Sequence, residues 1–319
     1  MSLCSRLTRS PLAGVPLCAA LLMACAGARV SPSPVPASVA AGPRVVDASS
    51  GRTIAFAQMV DAAVRADVVF FGEQHDDAET HLAELALLAA IGERRGTVVL
   101  SLEMFERDVQ PLVDAYLAGA LSESDFRAQS RPWPNYETDY RPMLELAKAK
   151  GWSVVAANVP RRLASMVSRR GLPAVDSLAA PERALVAADL QCPKDQYYTN
   201  FVEVMGGGHS GAPPGAAPSS GMSGMTDLFY QAQCIKDETM AESIANARGK
   251  AGGSVIVVHF TGSFHTDFGL GTASRVRRRL PDAKTVVISA VPVPAPAAAP
   301  AAEFADRGQF IIFALRKAP

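Results

Sequence analysis

Apolar residues in this chain recur as two kinds of run. Short β-branched runs at Val68–Phe71, Val98–Leu102, Val154–Ala157, Val255–Phe260, Val286–Ile288 and Phe310–Phe313 are apolar at nearly every position rather than at alternate ones. That pattern belongs to strands buried on both faces of a parallel sheet. Between them lie stretches with helical spacing, Asp77–Arg95, Asp139–Lys150, Arg161–Arg169 and Met225–Ala247. In the first of these Leu82, Leu85, Leu88 and Ile91 recur at near-helical intervals, and Asp76-Asp77 supplies a cap and a favourable charge at the helix start. The alternation predicts an α/β fold: a mainly parallel sheet flanked by helices. No strand pattern falls between about 160 and 250, so that stretch is expected to be a smaller helical subdomain or lid.

Two segments break the pattern. Residues 206–224, rich in Gly, Ser, Pro and Met, cannot build a core and are expected to be a disordered insert, and residues 292–303, mostly Pro and Ala, a surface excursion. At the N-terminus, Arg6 and Arg9 precede an apolar run from Leu12 to Ala24 that ends in Leu22-Met23-Ala24-Cys25. This is the order of a secretory signal peptide, and the run is shorter than the roughly 20 residues a spanning helix needs. Its end is similar to a bacterial lipobox, which marks Cys25 for lipidation. The organisation expected is therefore a signal over 1–25, a flexible tether over 26–44 and a domain over 45–319, lipid-anchored to the outer membrane on its periplasmic or surface face.

Charge narrows the partners. With 31 bases against 31 acids there is no electrostatic case for a nucleic-acid partner. The one basic cluster, Arg275 with Arg277, Arg278 and Arg279, is expected to be a solvated helix face. Beyond the signal only Cys192 and Cys234 remain. In an oxidising compartment they are candidates for a disulfide; two buried free thiols is the other reading.

Reading each strand to its carboxyl end exposes the candidate chemistry. The first runs into Gly72-Glu73-Gln74-His75, the second into Glu103, the third into Asn158 and Arg161, the fourth into Gly262-Ser263-Phe264-His265. In open α/β sheets ligands bind at that edge. Glu73, His75, Glu103, His265 and His259 together offer nitrogen and oxygen donors suited to a divalent transition metal or to acid–base work. No nucleophile elbow or phosphate loop accompanies them, so any reaction would use water or a bound metal. Between the second and third strands, Trp133, Tyr136 and Tyr140 either wall an apolar pocket, where a tyrosine phenolate can ligate ferric haem, or seal the core.

These segments together resemble the ChaN-like haem-binding lipoproteins, within a wider group that includes the Tiki proteases, the TraB/PrgY proteins and the erythromycin esterases. The resemblance is carried by Phe71–Asp76, Leu102–Arg107 with Gln110-Pro111, Arg131-Pro132-Trp133 with Thr138–Pro142, Ala157–Arg162, Ala232-Gln233 with Lys236-Asp237 and Thr239–Ala241, and His259–Asp267. It implies haem binding in iron uptake, with Tyr140 as the first candidate ligand and Tyr136 as the second, a homodimer formed on haem, and an outer-membrane haem receptor as a partner. The wider group implies instead a hydrolase, metal-assisted in the Tiki branch, built on Glu73, His75 and His265. A binding protein is the leading expectation and the hydrolase its alternative. Where many members carry two adjacent histidines this chain has Thr80-His81, and the insert around His209, with Met222 and Met225 as further soft donors, has no counterpart.

Overall fold

The computed structural model describes residues 43–207, 220–252 and 255–316. The signal, Cys25, the tether up to residue 42 and the core of the insert, including His209, lie outside the described residues. Gly206 and Gly207, at one flank of the insert, are the last residues of a helix, and residues 220–224, at the other, open the next one.

The six predicted runs are the six parallel strands: β3 (Val68–Glu73), β4 (Val98–Glu106), β5 (Ser153–Asn158), β6 (Ile256–Gly262), β7 (Thr285–Val293) and β8 (Phe310–Leu315). A hairpin that periodicity did not flag, β1 (Arg44–Asp47) and β2 (Arg52–Ile54), adds an antiparallel edge, giving the order β2-β1-β8-β7-β3-β6-β4-β5. Its strands are four and three residues long, too short for an alternating pattern to show.

Both faces of the sheet are covered, which is why the strands read as continuous apolar runs. Val69, Phe71, Leu100, Leu102, Val258 and Phe260 join the larger core, built with α1 (Phe56–Ala63), α2 (Ala78–Arg95), α3 (Gln110–Leu117), α4 (Glu123–Ser130) and α5 (Arg141–Lys150). Their neighbours Val68, Phe70, Val99 and Val257 point the other way, onto Ala241 and Ile244 of α9 (Ser220–Lys250) and Ala273 and Val276 of α10 (Gly271–Arg279). Asp77 caps α2 as expected, its carboxylate accepting the Thr80 amide at 2.8 Å.

The described part of 160–250 is strand-free, holding α6 (Arg161–Arg170), α7 (Ala180–Arg183), α8 (Gln196–Gly207) and α9. It is continuous with the sheet, because one end of α9 packs on the second face while the other buries Ile235 against α6 and Tyr230 and Cys234 against α8. Among the described residues no helix is long and apolar enough to cross a membrane.

The basic cluster on α10 departs from expectation. Arg275 is only 3 % exposed, and Arg275, Arg278 and Arg279 converge on the fully buried Glu238 of α9, at 3.2, 2.7 and 2.6 Å. A buried carboxylate needs partners, so these arginines join two helices instead of forming a solvated face.

Candidate functional site at the sheet edge

The carboxyl ends of β3, β4 and β6 lie side by side, in the order β3-β6-β4, and bring Glu73, Glu103 and the two Gly-x-x-His turns together. The glycines serve close approach. Gly262 has φ −53°, a value open to any residue, but a Cβ on it would lie 2.8 Å from His75 Nε2. A Cβ on Gly72 would lie 2.8 Å from Thr266 Oγ1 and 2.9 Å from the Ser263 backbone. Each glycine thus makes room for the other turn.

His75 and Glu73 form the first half of the site. Nδ1 of His75 sits 2.6 Å from Glu73 Oε1, and its ring stands edge-on to Trp133, 4.6 Å between centroids. The His75 side chain is 47 % exposed while Glu73 is buried. Burial opposes a charge on His75, yet the bond to Glu73 and the charges of Glu103 and Glu73 outweigh it and raise the imidazole pKa.

Glu103, His265 and Asp237 form the second half. Glu103 Oε2 accepts from the Thr261 hydroxyl at 2.6 Å and the Gly262 amide at 2.9 Å, and its other oxygen faces His265 Nε2 at 3.4 Å. Nδ1 of His265 lies 2.8 Å from Asp237 Oδ1, and the Gln233 amide meets Nε2 at 3.1 Å. Asp237 is held in turn by the hydroxyls of Thr272 at 2.9 Å and Tyr197 at 2.8 Å. Desolvation alone would lower the His265 pKa; flanked by Glu103 and Asp237, it rises to about 9. Glu103 is held well below the usual carboxylate range by His265, against its own burial.

Beneath His75 lies a third, fully enclosed group. Glu73, His81 and Glu84 each turn one donor atom to the others, all within 4.8 Å. His81 Nδ1 is 2.7 Å from Glu84 Oε2 and 3.9 Å from Glu73 Oε2. Glu73 Oε2 and Glu84 Oε1 are buried without a hydrogen-bond partner. Burial, then the charge of Glu73, raises the Glu84 pKa well above the usual range. The bond from His75 and the charges of His81 and His75 hold Glu73 low against burial. A proton on Glu84, or a cation between the two carboxyls, would satisfy both orphaned oxygens.

Of the remaining candidates, His259 and Tyr136 sit apart from the edge and Tyr140 lies buried against it. His259 is buried on the second face, its Nδ1 2.9 Å from Ser101 Oγ, and burial lowers its pKa to about 4. Tyr140 is buried, its hydroxyl donating to Glu73 Oε1 at 2.5 Å. Tyr136 is buried against Phe105 and Phe126. Neither tyrosine faces solvent. Burial, reinforced by Glu73 and Glu84, pushes the Tyr140 phenol up, away from the phenolate that iron ligation needs. For Tyr136 and Tyr140 this geometry is that of core sealing, whereas the partly exposed Trp133 lines a pocket with Arg131, Pro132 and Arg161.

Sequence reasoning missed His81, Glu84, Gln233, Asp237 and Tyr197 as site residues. Signals existed for three of them: His81 stood in the Thr80-His81 departure, and Gln233 and Asp237, four apart on one helix face, lay within the segments that carry the family resemblance.

The comparisons decide the lineage. The family model described as haem-binding uptake, Tiki superfamily, ChaN, matches residues 59–276. The chain belongs to the ChaN family. The fold agrees: a structure of Campylobacter jejuni ChaN, described as binding haem cofacially, superposes with TM-score 0.64 at 14 % identity, covering 86 % of this ChaN-family chain and 97 % of the other. The Arabidopsis thaliana protein RETICULATA-RELATED 5, chloroplastic, is 24 % identical over 244 residues, 70 % of this chain but only 31 % of its own length. The erythromycin esterase EreC aligns over 86 % of this chain and 82 % of its own at 14 % identity, but its TM-score of 0.44 is too low to bear on chemistry.

Proposed function

We propose that this ChaN-family protein binds haem or a related iron tetrapyrrole and serves iron acquisition as a lipid-anchored protein of the cell envelope. The observation that carries the reading is His75, the one histidine among the described residues whose ring reaches solvent. Ionised Glu73 can only accept, so the 2.6 Å contact selects the tautomer with the proton on Nδ1 and leaves Nε2 as a lone-pair donor. This is how proteins orient an imidazole that ligates iron. Tyr140, expected as the ligand, contributes here by holding Glu73.

Beside His75 the surface also suits a tetrapyrrole. Val204 on α8 and Phe268 are 62 % and 44 % exposed, and both line a groove of about 560 Å³ with Tyr197, Phe264 and Arg307. Ser263 of that groove accepts a hydrogen bond from Gln74, the residue before His75, so groove and histidine share one loop pair. Haem would supply the iron chemistry; the chain supplies an oriented nitrogen and an apolar wall with a cation at its rim.

The test is haemin titration followed by absorbance. The wild type should give a saturable Soret band, weakened at least tenfold in apparent affinity by His75→Ala and by Val204→Asp. Unsaturable binding, or affinity indifferent to both changes, would overturn the reading.

A second reading rests on the Glu103–His265–Asp237 chain, which can hold and move a proton beside His75. It is a hydrolase acting through water, with Glu73, His81 and Glu84 as donors for a divalent transition metal. Stoichiometric Zn, Mn or Co in purified protein, with hydrolysis lost in His265→Ala, would favour it; metal-free, inert protein would count against it.

A further inference from the structure

Away from the sheet edge, the segment leading into α8 is strapped along α9 by contacts at four points. The Ala187 amide donates to Thr239 Oγ1 at 3.2 Å, the Ala188 amide to Glu242 Oε2 at 2.8 Å, and the Gln191 amide to Glu238 Oε1 at 3.2 Å. The Tyr230 hydroxyl then donates to the Pro193 carbonyl at 2.6 Å. Tyr230 stands one turn before Cys234 on α9, and Pro193 directly follows Cys192. The strap therefore brings Cys192 beside Cys234: both belong to one packed cluster with Tyr197, Phe201 and Tyr230. The following proline limits the backbone freedom of Cys192 as well.

The two sulfurs differ in access and environment. Cys192 is partly exposed and Cys234 is buried. Arg275 turns an N–H toward Cys234 Sγ at 3.6 Å.

We infer that Cys192 and Cys234 are a redox-active pair that closes to an intramolecular disulfide by exchange with a small disulfide oxidant, stapling the 187–195 strap to α9. In the first step the Cys192 thiolate attacks one sulfur of the external disulfide, forming a mixed disulfide and expelling one thiolate. The Cys234 thiolate then attacks Cys192 Sγ and expels the second. The protein loses two electrons and two protons, and the oxidant leaves as two thiols. Asp237 lies three residues after Cys234 on α9 and accepts from Tyr197 at the start of α8. The staple thus fixes the helix pair that positions His265.

The test uses the full-length chain exposed to oxidised glutathione, then alkylation and non-reducing peptide mapping, which separates this pair from other cysteines. The expected result is a Cys192–Cys234 linked peptide, loss of alkylation at both residues, and return of both thiols with dithiothreitol. In Cys234→Ser the same treatment should stop at a stable glutathione adduct on Cys192. Two thiols that stay alkylatable in the wild type would overturn the inference, as would a wild-type glutathione adduct that Cys234 never resolves. The wild-type mapping decides the matter even if the variant fails to fold.

Discussion

His265 offers the sharpest energetic prediction, because its surroundings reverse what burial should do. An imidazole this enclosed would ordinarily stay neutral, yet Glu103 at 3.4 Å and Asp237 at 2.8 Å raise its pKa to about 9 from an unperturbed 6.5. Every tenfold gain in proton affinity on folding corresponds to about 1.4 kcal/mol, so the protonated ring contributes about 3 kcal/mol of stability. The folded-state pKa is the higher one. The contribution is therefore complete below about pH 6.5 and is lost as pH rises through about 9. Urea unfolding of the wild type at closely spaced pH values from 6 to 10, compared with His265→Gln, isolates it. The variant should be less stable by several kcal/mol at pH 6, since Glu103 and Asp237 are left as buried charges, and the gap should shrink by about 3 kcal/mol by pH 10. A gap that stays constant across that range would refute a charged His265.

Other expectations follow from close approaches and buried charge. Gly262→Ala should push the His75 ring aside, lowering haemin affinity with little loss of stability, because the atom in its way ends a half-exposed side chain. Gly72→Ala meets Ser263 backbone at 2.9 Å instead and should cost about 2 kcal/mol in denaturant unfolding; equal effects of the two would contradict the assigned roles. Glu238→Ala strands the buried Arg275 and should cost about 3 kcal/mol, where a solvated arginine face would lose almost nothing. Tyr140→Phe should leave a haemin Soret band in place while raising the His75 pKa seen by NMR, because ionised Glu73 Oε1 loses its other hydrogen-bond donor and is left to His75.

The parallel sheet was legible because a strand buried on both faces has to be apolar throughout, and Val68–Phe71 or Val255–Phe260 could hardly be anything else. The β1–β2 hairpin carried no such constraint. At the site, Glu73, His75, Glu103 and His265 stood out because strand ends mark one edge of the sheet. Asp237 and Gln233 did not, since their role depends on α9 crossing behind the second Gly-x-x-His turn, a long-range packing fact that periodicity does not encode. The Arg275 cluster misled for the same reason: four arginines in five residues look solvated until Glu238, some forty residues earlier, is folded onto them. From their spacing Tyr136 and Tyr140 allow a pocket wall but favour core sealing, and their burial agrees with the latter.

The central claim is that an oriented, solvent-reaching His75 lets this ChaN-family chain hold an iron tetrapyrrole. Its most direct measurement is an equilibrium haemin titration of the wild type beside His75→Ala, following the Soret region. The account predicts a saturable band in the wild type and at least a tenfold weaker one in the variant. No saturable band in the wild type, or identical curves for the two proteins, would contradict it.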